Sequence, residues 1–256
     1  MQWSTLSYEH DGHTYLVKRL GPAMGPQFVL VHGIGVASRY YVPLARILAE
    51  SAGVHVMELP GFGGAPNPES PLSVQDLAAV VNDYVRSAEL DQPVLVGHSM
   101  GGQVVVEAAS QGPGLFPVVV AMGCVVDPRA RTALQQGLRL LQDCLRETLS
   151  ANWTVLCEYA RTGPRWYLRT LPSMLGYRTE ETVAQLSTPL LVLRGARDPI
   201  AGHEWAEQLQ RLAPTGRLVE VPAAAHVVMY THPQQVAAHI LPLTRSLAQP
   251  PAHEDA

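Results

Sequence analysis

Short apolar runs, separated by polar stretches and by glycine or proline, recur along the chain, and their spacing predicts the elements. Trp3–Glu9 and His13–Lys18 flank His10-Asp11-Gly12, and Asp-Gly between two alternating runs signals a β-hairpin. Beyond the hairpin the alternation stops. Gln27–Val31, His55–Leu59, Val94–Val96, Val118–Val126, Leu190–Leu193 and Leu218–Val221 are continuous apolar runs, as strands covered on both faces require. Tyr41–Ser51, Val74–Ser87, Met100–Ser110, Glu204–Leu212 and Gln234–Leu247 read as helices. The pattern predicts an α/β fold: a mostly parallel, eight-stranded twisted sheet with helices on both faces.

One interval breaks the rhythm. About sixty residues separate the strand ending near Val126 from the one starting near Pro189, far more than a crossover helix needs. Pro128–Ser150 carries apolar residues at helical spacing, and Pro164–Leu175 follows a Thr162-Gly163 start signal. Residues 1–127 and 189–248 are therefore expected to form the core, and 128–188 an inserted helical cap at the carboxyl edge of the sheet, where ligands bind. Residues 249–256, with Pro250, Pro251 and acidic side chains, read as a disordered tail.

Composition narrows the function classes. The chain has 256 residues, 47% of them apolar and 16% charged, which suits a soluble globular protein. A net charge of −4 without a basic run gives no support to a nucleic-acid or membrane partner. Residues 1–25 lack a basic start followed by an apolar core, so no secretory signal is expected. Three cysteines without Cys-X-X-Cys spacing favour reduced thiols and a cytoplasmic location. The ten histidines include no pair at metal-ligand helical spacing, so a metal site is not expected. The remaining partner is a small-molecule substrate, with the chain a monomer or homodimer.

The chemistry concentrates on Gly97-His98-Ser99-Met100-Gly101, directly behind Pro93-Val94-Leu95-Val96. A buried strand that enters Gly-X-Ser-X-Gly and leaves as a helix must turn sharply. Its central side chain then stands at the top of the sheet beside free helix N–H groups, which suits a nucleophile. A serine hydroxyl needs a base, itself oriented by a third group. His226 follows the strand Leu218–Val221 through Pro222-Ala223-Ala224-Ala225, whose small residues leave room for the imidazole. Two aspartates compete as the orienting acid, Asp198 and Asp127, each ending a strand before a proline. Asp198 is favoured because it lies nearer the strand carrying His226 and gives the chain order serine, aspartate, histidine. In Val31-His32-Gly33-Ile34-Gly35, the N–H of Ile34 is placed to join that of Met100 as an oxyanion hole.

These segments together resemble the α/β-hydrolase superfamily, from about Val17 to Leu247. His32-Gly33-Ile34-Gly35 is similar to that family's oxyanion turn, and Glu58-Leu59-Pro60-Gly61-Phe62-Gly63 to its Asp-X-Pro-Gly-X-Gly loop, with Glu58 in place of Asp. Gly97 to Gly102 resembles the family elbow, and Gly195-Ala196-Arg197-Asp198-Pro199 its acid loop. Ala225-His226 followed by Pro233 resembles its histidine loop, with Ala225 where glycine is common. The resemblance implies a cofactor-free serine hydrolase acting on an ester, thioester or lactone of a small, largely apolar molecule. A serine nucleophile disfavours the dehalogenase and epoxide-hydrolase branches. Other chemistry on the same fold (C–C bond hydrolysis, acyl transfer, a lyase or cofactor-free oxygenase reaction) stays open, as does a receptor-like binding protein.

The cap aromatics are the candidate selectors of substrate. Trp166 and Tyr167 are expected to line an apolar pocket, against the alternative that they are cap core. His98 either contacts substrate or packs beneath the elbow. Arg161, Arg165 and Arg169 repeat every four residues and read as a solvated basic face rather than a carboxylate clamp.

Overall fold

The structure, a computed structural model, describes residues 2–247, so the tail expected at 249–256 lies outside the described residues. The hairpin forms as β1 (Ser4–His10) and β2 (His13–Leu20). Asp11 and Gly12 both take positive φ at its tip, the mirror-image turn that matches strand twist. The sheet continues with β3 (Gln27–Val31), β4 (Gly53–Glu58), β5 (Val94–His98), β6 (Val119–Met122), β7 (Leu190–Gly195) and β8 (Gly216–Val221). Its order is β1-β2-β4-β3-β5-β6-β7-β8. Both pairings of β2 are antiparallel, and every pairing from β4 to β8 is parallel.

Helices α1 (Val42–Leu48), α2 (Val74–Ser87), α3 (Met100–Gln111), α8 (His203–Leu212), α9 (Val228–Thr231) and α10 (Pro233–Ile240) cover the two faces. Strand periodicity divides the apolar residues between them. Leu95 and Val192 pack with Val81, Val105 and Trp205 on one face. Val94, Val96 and Leu193 pack with Leu44, Leu48 and Ile240 on the other. Each inner strand thus feeds two cores, which is why its sequence is a continuous apolar run.

Two segments depart from the sequence expectations. The run Val118–Val126 does not continue as a strand, because the chain leaves the sheet after Met122 with positive φ at Gly123 and Val126. The segment Gln234–Leu247 ends its α-helix at Ile240 and continues as 3₁₀ turns. The helical spacing over Pro128–Ser150 resolves into a short turn, one helix and the start of a second. A 3₁₀ turn at Pro128–Ala130 precedes α4 (Ala133–Cys144), which a reciprocal Thr132–Gln135 cap begins. Thr148 then starts α5 (Leu149–Thr162) by accepting the Ala151 N–H. After Gly163 come α6 (Pro164–Gly176) and α7 (Thr179–Ala184).

Helix α4 is amphipathic in the opposite sense from the core helices. Leu134, Leu138, Leu141 and Leu145 are 60–83% exposed along α4 and its C-cap, whereas Gln136 and Asp143 are buried. Among the described residues, no helix is long and apolar enough to cross a membrane.

Candidate active site

Strand β5 ends at His98 and α3 begins at Met100, so Ser99 alone makes the turn, with φ +58° and ψ −121°. A non-glycine residue held there stores roughly 1–3 kcal/mol of strain, which the surrounding packing must hold. A Cβ on Gly97 would strike the Gly101 carbonyl, and one on Gly101 the Val31 carbonyl. The Ser99 N–H donates to Met122 O at 2.9 Å, tying the turn to β6.

The loops after β7 and β8 meet beside it. His226 Nδ1 and Asp198 Oδ2 are 2.8 Å apart, both buried. The other Asp198 oxygen accepts the N–H groups of Ile200 and Ala201 at 2.7 and 3.0 Å. Buried Arg194 donates to the carbonyls of Asp198 and Ala201, so the carboxylate is fixed from several sides. Burial opposes charging of the imidazole, but the Asp198 carboxylate, reinforced by Asp143 and Glu147, pushes His226 up to about 9. Gly123 faces the pair: a Cβ there would stand 3.2 Å from the imidazole. Asp127, the rival acid, sits elsewhere, holding the N–H and guanidinium of Arg129 and pairing with Arg139. No hydrogen bond joins Ser99 to His226 among the described residues, yet both line the same two cavities.

The glycine turn after β3 lies against the elbow, where a Cβ on Gly33 would be 2.9 Å from that of Ser99. Its backbone is set by two neutral histidines. Leu59 N–H donates to His32 Nε2, so the ring proton is on Nδ1 and donates to Gly33 O at 2.8 Å. Burial drives His32 down to about 4. His98 Nε2–H donates to the His226 carbonyl at 3.0 Å, leaving Nδ1 to accept from the Tyr40 hydroxyl at 3.1 Å. Burial, with His226 beside it, holds His98 well below the ordinary histidine range. Tyr40 in turn accepts the Gly33 N–H at 2.8 Å. One chain of hydrogen bonds therefore links the glycine turn to the histidine loop. Among the described residues, the N–H groups of Ile34 and Met100 donate to no protein acceptor.

Two cavities of unequal size flank Ser99. The smaller, about 40 Å³, holds His98, Asp143, Glu147 and Asn152 among its walls. The larger, about 560 Å³, is apolar and roofed by the insertion through Leu140, Leu156, Tyr159, Tyr167, Leu171 and Met174. Tyr167 thus faces the larger cavity, while Trp166 does not. The indole lies over Gly61 and beside Phe62 and Met100 in a separate, small pocket. His98 reaches the smaller cavity with both ring nitrogens already engaged. Arg161 pairs with Glu158, and Arg169 caps the Glu69 carbonyl and stacks 5.5 Å from the Trp166 ring, so these arginines form no common clamp. Glu58 is buried and accepts from Lys18, Ser38 and the Gly64 N–H; those donors outweigh burial and hold it near 2. Among the described residues, no three His, Cys, Asp or Glu side chains are grouped as a metal site.

Sequence reasoning missed Tyr40, Gly123, Asp143 and Glu147. The last two carried a faint signal, being four residues apart where α4 ends, each accepting a backbone N–H of the histidine loop.

Known proteins resemble this chain along most of its length. The chain is 25% identical over 249 residues to the biotin biosynthesis bifunctional protein BioHC of Cellvibrio japonicus, covering 87% of this chain but only 48% of that protein. It is 25% identical over 241 residues to a pimeloyl-[acyl-carrier protein] methyl ester esterase of Xanthomonas axonopodis pv. citri, covering 83% of this chain and 92% of the relative. In fold it superposes on a thermophilic esterase from Thermogutta terrifontis with a TM-score of 0.80 at 20% identity, covering 97% of this chain and 100% of that one. The sequence profile of the Alpha/beta hydrolase family matches residues 28–239, and with the elbow and both loops inside that span, the chain belongs to this family of hydrolases.

Proposed function

We propose that the protein is a serine hydrolase that cleaves an ester, thioester or lactone bond of a small, largely apolar substrate through an acyl-enzyme. Ser99 Oγ attacks the carbonyl carbon, and His226 Nε2 takes the hydroxyl proton and returns it to the leaving group. Asp198 holds the imidazole with Nε2 turned towards the serine. The N–H groups of Ile34 and Met100 receive the oxyanion, each worth roughly 3 kcal/mol in the transition state. Water then attacks the acyl-serine, with His226 again as base.

The observation that carries this reading is the strained Ser99, beside the buried His226–Asp198 pair, at the boundary between the two cavities. The unequal volumes suit an ester with one large apolar group and one small one. The relative whose name specifies a methyl ester supports that division. Three unpaired cysteines support a cytoplasmic setting.

The test is p-nitrophenyl ester turnover together with fluorophosphonate labelling. Ser99→Ala should abolish both while the far-UV spectrum stays native; undiminished turnover would refute the assignment.

A further inference from the structure

Four polar side chains of the insertion reach the two loops that carry Asp198 and His226. Arg139, Asp143, Arg146 and Glu147 are spaced so that α4 and the turn after it present them on one side. Arg139 donates to the Ile200 carbonyl at 3.1 Å and Arg146 to the Arg197 carbonyl at 2.7 Å, on either side of Asp198. Asp143 accepts the His226 N–H at 3.1 Å, and Glu147 accepts the Val227 N–H at 2.6 Å. Two carboxylates one helical turn apart therefore hold two consecutive backbone N–H groups.

Burying a carboxylate is costly unless its charge and its oxygens are used. Among the described residues, no Lys or Arg pairs with Asp143 or Glu147, so the cation available to them is His226 itself. The imidazole faces Asp198 from the loop after β7, His98 from the elbow, and Asp143 and Glu147 from the insertion. Asp143 also faces the Cys144 thiol and the Tyr159 phenol, both pushed up by burial.

We propose that Asp143, assisted by Glu147, is a positioning residue for His226, fixing its main chain from the insertion and adding a second negative charge that holds the imidazolium formed during acyl transfer. The hydrogen bond sets where the ring can stand relative to Ser99. The charge lowers the cost of moving the serine proton onto the ring, and it raises the pH needed to free the base. The chemistry rests on the serine-hydrolase reading, but the main test does not, because it reads the imidazole directly.

Ring ¹⁵N NMR of the full chain, with His226→Gln assigning the resonance, follows the titration of His226. Asp143→Asn keeps an acceptor oxygen and removes the charge, so its midpoint should fall on the order of one pH unit below that of the parent. Glu147→Gln should shift it in the same direction by less. Unchanged midpoints in both overturn the proposal; if Asp143→Asn does not fold, an unchanged midpoint in Glu147→Gln does so alone. Fluorophosphonate labelling of Ser99 above the titration tests the clamp. Asp143→Ala, which loses the acceptor, should react roughly tenfold more slowly than Asp143→Asn. Equal rates for the two overturn it. A chain whose His226 shifts as expected but whose Ser99 never takes the probe would refute the hydrolase reading and sustain the charge effect.

Discussion

Helices α3 and α4 are both twelve residues long, and they solve opposite problems. The first follows the elbow and is pressed between the sheet and α2, so it buries Val104, Val105, Val106, Ala108 and Ala109. The second lies over the loops after β7 and β8, whose backbone N–H and C=O groups need partners, so it turns Gln136, Arg139 and Asp143 inward and leaves Leu134, Leu138 and Leu141 in solvent, with Leu140 alone of its leucines facing the cavities. The direction a helix faces is set by what its neighbour lacks. A sheet face lacks apolar cover, whereas loops that end strands lack hydrogen-bond partners.

The sharpest way to break that contrast is to compare two aspartates, one bonded to His226 and one at the root of the insertion. Asp198→Asn should lower kcat by about 10⁴-fold, since an amide cannot hold the imidazole in its working tautomer. Asp127→Asn should lower stability through Arg129 and Arg139 while leaving turnover per folded molecule within a few-fold. Steady-state kinetics beside denaturant melts separate the two, and a larger kinetic loss from Asp127→Asn would reverse the assignment.

A smaller effect comes from pH. His226 is raised above its ordinary value to about 9, so at pH 7 most free enzyme holds a protonated base. Well below that value the basic form grows tenfold per pH unit, so kcat/KM should rise about fiftyfold from pH 7 to 9 and level above it. The stability that this charge contributes is complete below the unfolded value near 6.5 and is lost as pH rises through about 9. Melting temperature should therefore fall across the window in which activity climbs. A flat kcat/KM between pH 7 and 9 would contradict the role given to the carboxylates.

Stability measures the α3–α4 contrast itself. Val105→Ala removes two buried methyl groups from the sheet–helix layer and should cost about 2 kcal/mol. Leu138→Ala removes a side chain that is mostly in solvent and should stay within about 0.5 kcal/mol. Urea midpoints at constant m decide this, and a cost for Leu138→Ala equal to that of Val105→Ala would mean that its face is covered.

The same contrast explains what was legible in the chain. The strands, the elbow and the Ser99–Asp198–His226 order could be read because each depends on local rules: a doubly buried strand is a continuous apolar run, and a sharp turn needs glycine where backbones touch. The insertion was harder to read, since leucine periodicity gives the element but does not tell that most leucines of α4 face solvent. The break at residues 145–148 was hidden because a threonine cap competes with an otherwise uninterrupted helical pattern. Asp143 and Glu147 went unread because their four-residue spacing does not by itself reveal that each bonds a backbone N–H about eighty residues away. Gly123 was read as strand interior, because its role depends on the two loops that close over it.

The two aromatic neighbours of the insertion give the finest test. Trp166 and Tyr167 are adjacent and were read alike, yet Tyr167 lines the large cavity and Trp166 packs away from it. Tyr167→Leu should alter the preference among p-nitrophenyl esters of increasing acyl length by a few-fold, through KM, because it reshapes the apolar wall without touching the reacting atoms. Trp166→Phe should leave that preference unchanged. Its stability cost should also be modest, because the buried indole N–H has no acceptor among the described residues and removing it relieves an unpaired donor. If instead Trp166→Phe shifts the chain-length profile and Tyr167→Leu does not, the acyl group occupies the small pocket beside Phe62 and Met100, and the large cavity has another role.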